Sequence, residues 1–393
     1  MRLITLLLFG FVNMIMNSII RFANTNTDYL YPEFWAQSFQ SLNIGEYNLQ
    51  NLISRDFDAQ VASFGTKVNV PLAFDFGDAD DFTPGSAIGA TSITQEEAEV
   101  NLNLSKRKTI NLTAKELSLS PYDLIQNYGV GMVKSLLLTV NKEIYKEALK
   151  AKYFVDACAG ISEDLVADAG TKLSNLEVGT VGRKCVASPD VMGALKKIDA
   201  FQAVDNSGMS DIMKDGLITR RFGFDFYENN AISKYTPADV AGACASASLA
   251  AVSLVVTGFN DDAAPVRVGD KLTVESDSTV YTVQSTILTT GDTTTIGIYP
   301  PLAVAIAASK VVTITPVQSA LCFVPSAMAL AARSYGVLPE GVGVKSSISN
   351  YNGLPVRFSV FHDGILGLNV QADILFGTKL VNQNRIVRII EDL

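Results

Sequence analysis

The spacing of apolar and polar residues changes several times along this chain, and each change marks a different element. From Lys67 to Leu72 the residues alternate (Lys-Val-Asn-Val-Pro-Leu), the two-residue period of a strand with one buried face. Glu99 to Leu104 alternates again (Glu-Val-Asn-Leu-Asn-Leu) and reads as a returning strand. Between them Asp75 to Ala90 is rich in Gly, Asp and Ser and contains Pro84-Gly85. This predicts a long two-stranded arm with a turn-rich tip. A hairpin of that kind is marginal alone in water and needs a surface to lie on. In an assembly that surface can be the next subunit.

A helical period follows. Ser120-Pro121-Tyr122-Asp123 supplies an N-cap, a proline at the first helical position and an early carboxylate. Ile125, Met132, Leu136, Val140 and Ile144 then share one face, predicting a helix through about Tyr153, roughly 50 Å long. Gly129 and Gly131 can bend it, or divide it into two ordinary helices. A further helix is expected over Ile161 to Leu176, and a buried strand at Lys184 to Ala187. Ser188-Pro189-Asp190 caps a helix through about Ile198. Gly216-Leu217-Ile218 comes next, and Gly223 to Asn229 reads as a strand after a turn.

Residues Pro237 to Val317 lose helical periodicity and are rich in Ala, Val, Thr, Ser and Gly. Val268 to Val274, Val280 to Val283, Thr294 to Ile298 and Val311 to Ile314 are strand-like. Short strands at such spacing imply a small β-barrel or sandwich, inserted between the halves of another domain. After it, Pro325 to Arg333 reads as a short helix, while Leu354 to Val360, Ile374 to Leu380 and Ile386 to Ile390 alternate as strands.

The N-terminal region is less regular. Pro32-Glu33-Phe34-Trp35 opens a short helical pattern with Phe34, Trp35 and Phe39 on one face, an arm or leading helix within Asn24 to Ser54. Met1 to Arg21 is mostly apolar with one early charge, Arg2, and resembles a secretory signal in charge and length. Asn13, Asn17 and Ser18 interrupt it, which makes it a poor membrane span. It is a signal or anchor, an apolar arm for a neighbouring subunit, or an upstream extension outside the working protein. The rest of the chain favours the extension.

Composition narrows the function. Of 393 residues 48% are apolar and 18% charged, the latter below the roughly 25% usual for soluble domains, as in a protein that hides surface in an assembly. The formal charge of −9 argues against a dedicated DNA binder, because phosphate neutralisation by Lys and Arg dominates that affinity. An acidic wall can still enclose DNA without gripping it. Cys158, Cys185, Cys244 and Cys322 lack metal-site spacing and read as buried thiols, with one long-range disulfide left open. His362 is the single histidine, so a His-dependent triad is disfavoured and a multi-His metal site excluded within one chain; it reads as a polar residue at a strand end. Neither a Gly-x-Ser-x-Gly elbow nor a Walker loop occurs, and Gly341-Val-Gly343 lacks the third glycine of a dinucleotide fingerprint. No catalytic, cofactor-binding or metal-binding residue is therefore assigned, and no cofactor is expected. Asp75, Asp78, Asp80 and Asp81 lie in the arm's tip. Their spacing is not that of an EF-hand, and a solvated acidic loop is the simpler reading. They are also candidates to meet Lys106-Arg107-Lys108 of a neighbouring subunit.

The order of these parts resembles the tailed-bacteriophage major capsid proteins of the Hong Kong 97-like fold, and within them the Salmonella podovirus coat branch that carries an inserted β-domain. Ala23 to Thr27 with Pro32 to Ala36 is similar to the start of that branch, and Gly65 to Pro71 to its entry into the extended loop. Val186 to Leu195, Asp215-Gly216 and Arg221 to Phe224 resemble the axial domain, and Val268 to Pro300 the inserted domain. Leu321 to Phe323, Ala327 to Leu330 and Asp373 to Gly377 resemble the C-terminal peripheral strands. Phe22 stands where the family has its initiator methionine. No Lys–Asn pair matches the cross-link of some relatives, so none is assigned.

The resemblance implies an α+β architecture. Residues 1–22 would be an apolar extension, 23–54 the N-terminal arm, 55–116 the extended hairpin loop with peripheral strands, and 117–160 the spine helix. Residues 161–236 would form the axial domain, 237–317 the inserted β-barrel domain, and 318–393 the axial and peripheral C-terminal part. It further implies hexamers and pentamers of a non-enzymatic icosahedral shell around double-stranded DNA, located in the virion and assembled in host cytoplasm. A scaffolding protein and a portal are the expected partners, with no sequence-specific DNA contact and no membrane. An encapsulin-like bacterial nanocompartment uses the same fold, and a secreted β-rich surface protein is the more distant alternative.

Overall fold

The computed structural model describes residues 48–55, 67–72, 97–113, 129–157, 160–198, 220–232, 240–258, 266–275, 277–289, 293–336, 344–362 and 367–392. The N-terminal extension, the Pro32 to Trp35 helix, the acidic tip, the Ser120 cap with Ile125, Cys158, Gly216 to Ile218 and Gly341-Val-Gly343 lie outside the described residues. In chain order the elements are α1 (Leu49–Leu52), β1 (Lys67–Pro71), β2 (Glu97–Asn101), β3 (Leu104–Thr113), α2 (Val130–Ala148), β4 (Phe154–Asp156), α3 (Glu163–Asn175), β5 (Lys184–Ala187), α4 (Pro189–Lys196), β6 (Arg220–Arg221) and β7 (Phe224–Glu228). They continue as β8 (Val240–Cys244), β9 (Ser253–Thr257), β10 (Lys271–Val274), β11 (Tyr281–Thr289), β12 (Thr293–Tyr299), β13 (Lys310–Thr315), β14 (Val317–Phe323), β15 (Met328–Arg333), β16 (Val344–Tyr351), β17 (Leu354–His362), β18 (Gly367–Leu380) and β19 (Ile386–Asp392).

The chain divides into two compact units. One includes the described residues within Leu102–Thr139 and Ala332–Gly377, and the other those within Glu46–Asn101, Val140–Ala331 and Thr378–Leu393. In the first, β3, β18, β17 and β16 lie side by side in that order, all antiparallel. Val356, Phe358, Val360, Val370, Ala372 and Ile374 alternate along β17 and β18 and are all buried, as the two-residue period predicts. β16 and β17 join through Asn352-Gly353, both at positive φ (46° and 81°). That pair is what a two-residue hairpin turn requires, because both central residues must be left-handed.

In the second unit a mixed sheet runs β4-β19-β14-β5-β7-β6. The β19–β4 and β5–β7 pairs are parallel and the others antiparallel. β14 is buried at every position, as a central strand covered on both faces should be. Val166, Ala169 and Leu173 of α3 and Val191, Met192 and Leu195 of α4 pack with Cys185, Phe224, Phe226, Cys322, Val387 and Ile389 in one core. The capping prediction holds: the Ser188 hydroxyl accepts from Val191 N at 3.3 Å and Pro189 opens α4. Arg183, almost fully buried, donates to the carbonyls of Gly170, Val178 and Gly179 at the C-terminal end of α3, where a cation suits the helix dipole.

The segment expected to be β-rich is a closed six-stranded barrel, β10-β11-β12-β9-β8-β13. Leu254, Val256, Leu272, Val274, Tyr281, Val283, Ile296, Ile298, Val312 and Ile314 fill it. Their alternation with outward residues is clearest in β9 and β12. Four of the six strands were legible in the sequence. β8 was not, because Val-Ala-Gly-Ala-Cys offers small residues with little contrast between faces, and β9 was not singled out although Ser-Leu-Val-Val-Thr alternates.

Two expectations are corrected. The helix expected to reach about Tyr153 ends at Ala148, so its described part is about 28 Å long. Lys150 N and Ala151 N bond three residues back in a tightened last turn, and Phe154–Asp156 then leaves to pair with β19. The predicted face is otherwise confirmed, with Met132, Leu136, Val140 and Ile144 all buried. Pro325 to Arg333 is a 3-10 turn over Pro325–Ala327 followed by strand β15, not a helix. Met-Ala-Leu-Ala-Ala is apolar at every position and buried on both faces, a pattern in which period cannot separate helix from strand.

Candidate assembly surfaces

β1 and β2 form the base of the predicted arm. They pair antiparallel from Lys67↔Asn101 to Pro71↔Glu97. Val68 and Val100 are direct partners, and both are buried with Val70 on one face. The other face is polar and exposed. There Lys67 Nζ meets Glu99 Oε1 at 2.6 Å and Asn69 Nδ2 donates to Glu97 Oε2 at 2.8 Å, both diagonal contacts between strands. The Lys67 hydrogen bond holds the Glu99 carboxyl below its ordinary range. Asp75, Asp78, Asp80 and Asp81 belong to the segment between these strands and lie outside the described residues.

The basic run is on β3. Because successive strand residues point to opposite faces, Lys106 and Lys108 share one face and Arg107 takes the other. Arg107 and Lys108 are exposed, and Lys106 is half-buried. Arg107 stands opposite Asp373 in β18, but that carboxylate is already held. Arg357 grips it bidentately, Nε to Oδ1 at 3.0 Å and Nη2 to Oδ2 at 2.6 Å, and Gln371 Nε2 adds a bond at 2.9 Å. The Tyr335 ring lies 4.9 Å from the Arg357 guanidinium carbon, and Tyr335 Oη donates to Ser105 Oγ at 2.6 Å. A bidentate, stacked and buried pair of this kind fixes a sheet face. It leaves the Arg107 and Lys108 side chains turned outward.

The barrel's root carries a buried polar cluster that sequence inspection did not single out. Arg388 in β19 is fully buried. Its Nε donates to Ala151 O at 3.2 Å and its Nη1 to Gly269 O at 3.0 Å. Gly269, at φ +101°, opens β10 directly over it; a Cβ there would stand 2.8 Å from Arg388 Nη1 and 3.1 Å from Leu149 Cβ. Burial pushes the neighbouring Asp270 carboxyl up to about 6, against the opposing pull of Arg267 and Arg388. Burial likewise lowers the Arg388 guanidinium to about 10, with Tyr145 and Asp270 opposing. Lys271 and Asp156 close the same seam at 3.2 Å. The only sequence signal was Val-Gly-Asp at 268–270, a glycine before an acid at a strand start.

A second buried network seats α1. Asn141 of α2 accepts from Leu49 N at 3.0 Å and from Asn229 Nδ2 at 3.0 Å, and donates to Gln50 Oε1 at 2.8 Å. Asn141, Gln50 and Asn229 are all fully buried. The barrel's outer surface is the opposite case. Leu249, Val252 and Val304 are exposed by 63%, 63% and 52%, on two adjacent stretches that carry no charged residue from Ala241 to Asn260 or from Thr293 to Ser309.

His362 is the exposed last residue of β17, a polar residue at a strand end as the sequence predicts. Among the described residues no helix is long and apolar enough to cross a membrane.

No protein-family model matches this chain, and no curated protein matches it in sequence. Solved structures do. A chain from Mycobacterium phage Che8 superposes with a TM-score of 0.50 and 13% identity, over 86% of this chain and 89% of that one. The capsid structure of the Cyanophage P-SCSP1u gives 0.48 and 11%, over 84% of each chain. The capsid of an empty GTA particle gives 0.47 and 11%, over 90% of this chain and 92% of that one. The chain has the Hong Kong 97-like α+β fold, and it carries a six-stranded β-barrel within it.

Proposed function

We propose that this chain is the major capsid protein of a tailed phage, a structural protein and not an enzyme, assembling into the hexamers and pentamers of an icosahedral shell around double-stranded DNA. The observation that carries the proposal is the fold likeness over 86% of the chain and 89% of the phage chain. The closed barrel between β7 and β14 supports the inserted-domain branch. The net charge of −9 suits a wall that encloses DNA without binding it tightly. On this reading the arm based on β1 and β2 lies across the next subunit, a scaffolding protein and a portal direct closure, and the working location is the virion.

The test is expression with a candidate scaffolding protein from the same genome, followed by electron microscopy. Closed icosahedral particles are the expected result; soluble monomers under every scaffolding condition would refute it. Charge reversal locates the contact. Asp75, Asp78, Asp80 and Asp81 changed to Lys should block assembly, and changing Lys106, Arg107 and Lys108 to Glu in the same chain should restore it. Unchanged assembly in the first variant would remove this pairing.

A further inference from the structure

Cys185 in β5 and Cys322 in β14 are register partners on antiparallel strands, and their sulfurs lie 3.4 Å apart. Both are free thiols, 1% and 0% exposed. Directly opposed residues in an antiparallel ladder have Cα atoms about 4.5–5.5 Å apart, inside the roughly 4.4–6.8 Å that a disulfide spans. Closing 3.4 Å to the bonded distance of about 2.0 Å therefore asks for side-chain rotation and not for a backbone shift. The two sulfurs are not equivalent. Cys322 Sγ donates to Cys185 Sγ, and this bond together with burial pushes the Cys322 thiol well up. Cys185 also borders a narrow cavity of about 10 Å³ between Val166, Val191 and Ala320, room for about one water-sized molecule.

We propose that Cys185 and Cys322 form a modification site, a dithiol that hydrogen peroxide converts into a cross-strand disulfide, with Cys185 oxidised first. The Cys185 sulfur takes one peroxide oxygen, the O–O bond breaks, and water leaves behind a sulfenic acid. The Cys322 sulfur then attacks the Cys185 sulfur, the S–O bond breaks, and a second water carries off the remaining proton. Two thiols and one peroxide give one disulfide and two waters. The bond closes a loop from residue 185 to residue 322, and that loop contains all six barrel strands. The biological consequence rests on the shell reading: thiols assembled in a reducing cytoplasm meet an oxidant after the particle leaves the cell, so the barrel's root is fastened late.

The experiment treats the purified full chain, as soluble subunits and as any particles formed, with dilute hydrogen peroxide. Free thiols are then blocked in denaturant, and non-reduced digests are read by mass spectrometry. The expected result is a linked Cys185–Cys322 peptide pair, 2 Da lighter than the two reduced peptides together. It should come with a thermal midpoint raised by several degrees, and dithiothreitol should reverse both. The Cys185→Ala and Cys322→Ala variants should each lose the midpoint rise. Both thiols still blocked after peroxide, Cys185 oxidised to sulfinic acid without linkage, or a link to Cys158 or Cys244 instead would each overturn the proposal. Because the linkage is read on subunits too, failure to form particles and failure to form the bond are separate results.

Discussion

Gly269 and Asp270 show how much one turn can decide. Gly269 has a positive φ of +101°, and the space where a side chain would go is taken by Arg388 and Leu149. Gly269→Ala is expected to lower unfolding free energy by about 2–3 kcal/mol, from backbone strain together with displacement of the guanidinium. Urea titration checks this; an unchanged midpoint would show that the turn can relax. Asp270 carries a pH signature. Its carboxyl titrates at about 6 when folded and near 3.8 when unfolded, so the folded state holds the proton more tightly. Its contribution to stability is full below about pH 4 and is lost as pH rises through 6, a loss of at most roughly 3 kcal/mol. In Asp270→Asn that part of the pH dependence should vanish. The difference between wild type and variant in urea unfolding, followed from pH 4 to 7, measures it.

At the scale of elements, the β1–β2 base separates what holds a hairpin from what decorates it. Val100 is fully buried against Val68, whereas Lys67 and Glu99 face water. Val100→Asp buries an unpaired charge and is expected to cost about 2–4 kcal/mol and to abolish assembly. Lys67→Ala should leave the unfolding midpoint unchanged, because exposed ion pairs contribute little. If Lys67→Ala destabilised the chain as much as Val100→Asp, the buried face would not be what holds the strands. The same logic explains which elements could be read in advance. β1, β12 and β17 alternate because one face is buried, and α4 announces itself through Ser188-Pro189. β15 does not, because a segment buried on both faces carries no period.

At the scale of the whole molecule, the barrel is the part whose independence can be tested. It is closed, so it exposes no long sheet edge, and it has its own core from Cys244 to Ile314. Residues 237–317 expressed alone should give a β-type circular dichroism spectrum and a cooperative thermal transition. A random-coil spectrum would show that the Arg388 seam, supplied from outside the segment, is needed for folding.

The sequence by itself determined the order of several elements: the alternating β1 and β2, the amphipathic α2, the helix α3, the capped α4 and a β-rich segment. It also excluded a multi-His metal site within one chain, since His362 is the single histidine. Only the tertiary structure decided that Arg388 lies under Gly269, that Asn141, Gln50 and Asn229 meet, and that Cys185 faces Cys322. Those pairings join residues about 90 to 140 positions apart. Local period fixes which face of an element is buried, but not which distant element arrives to bury it.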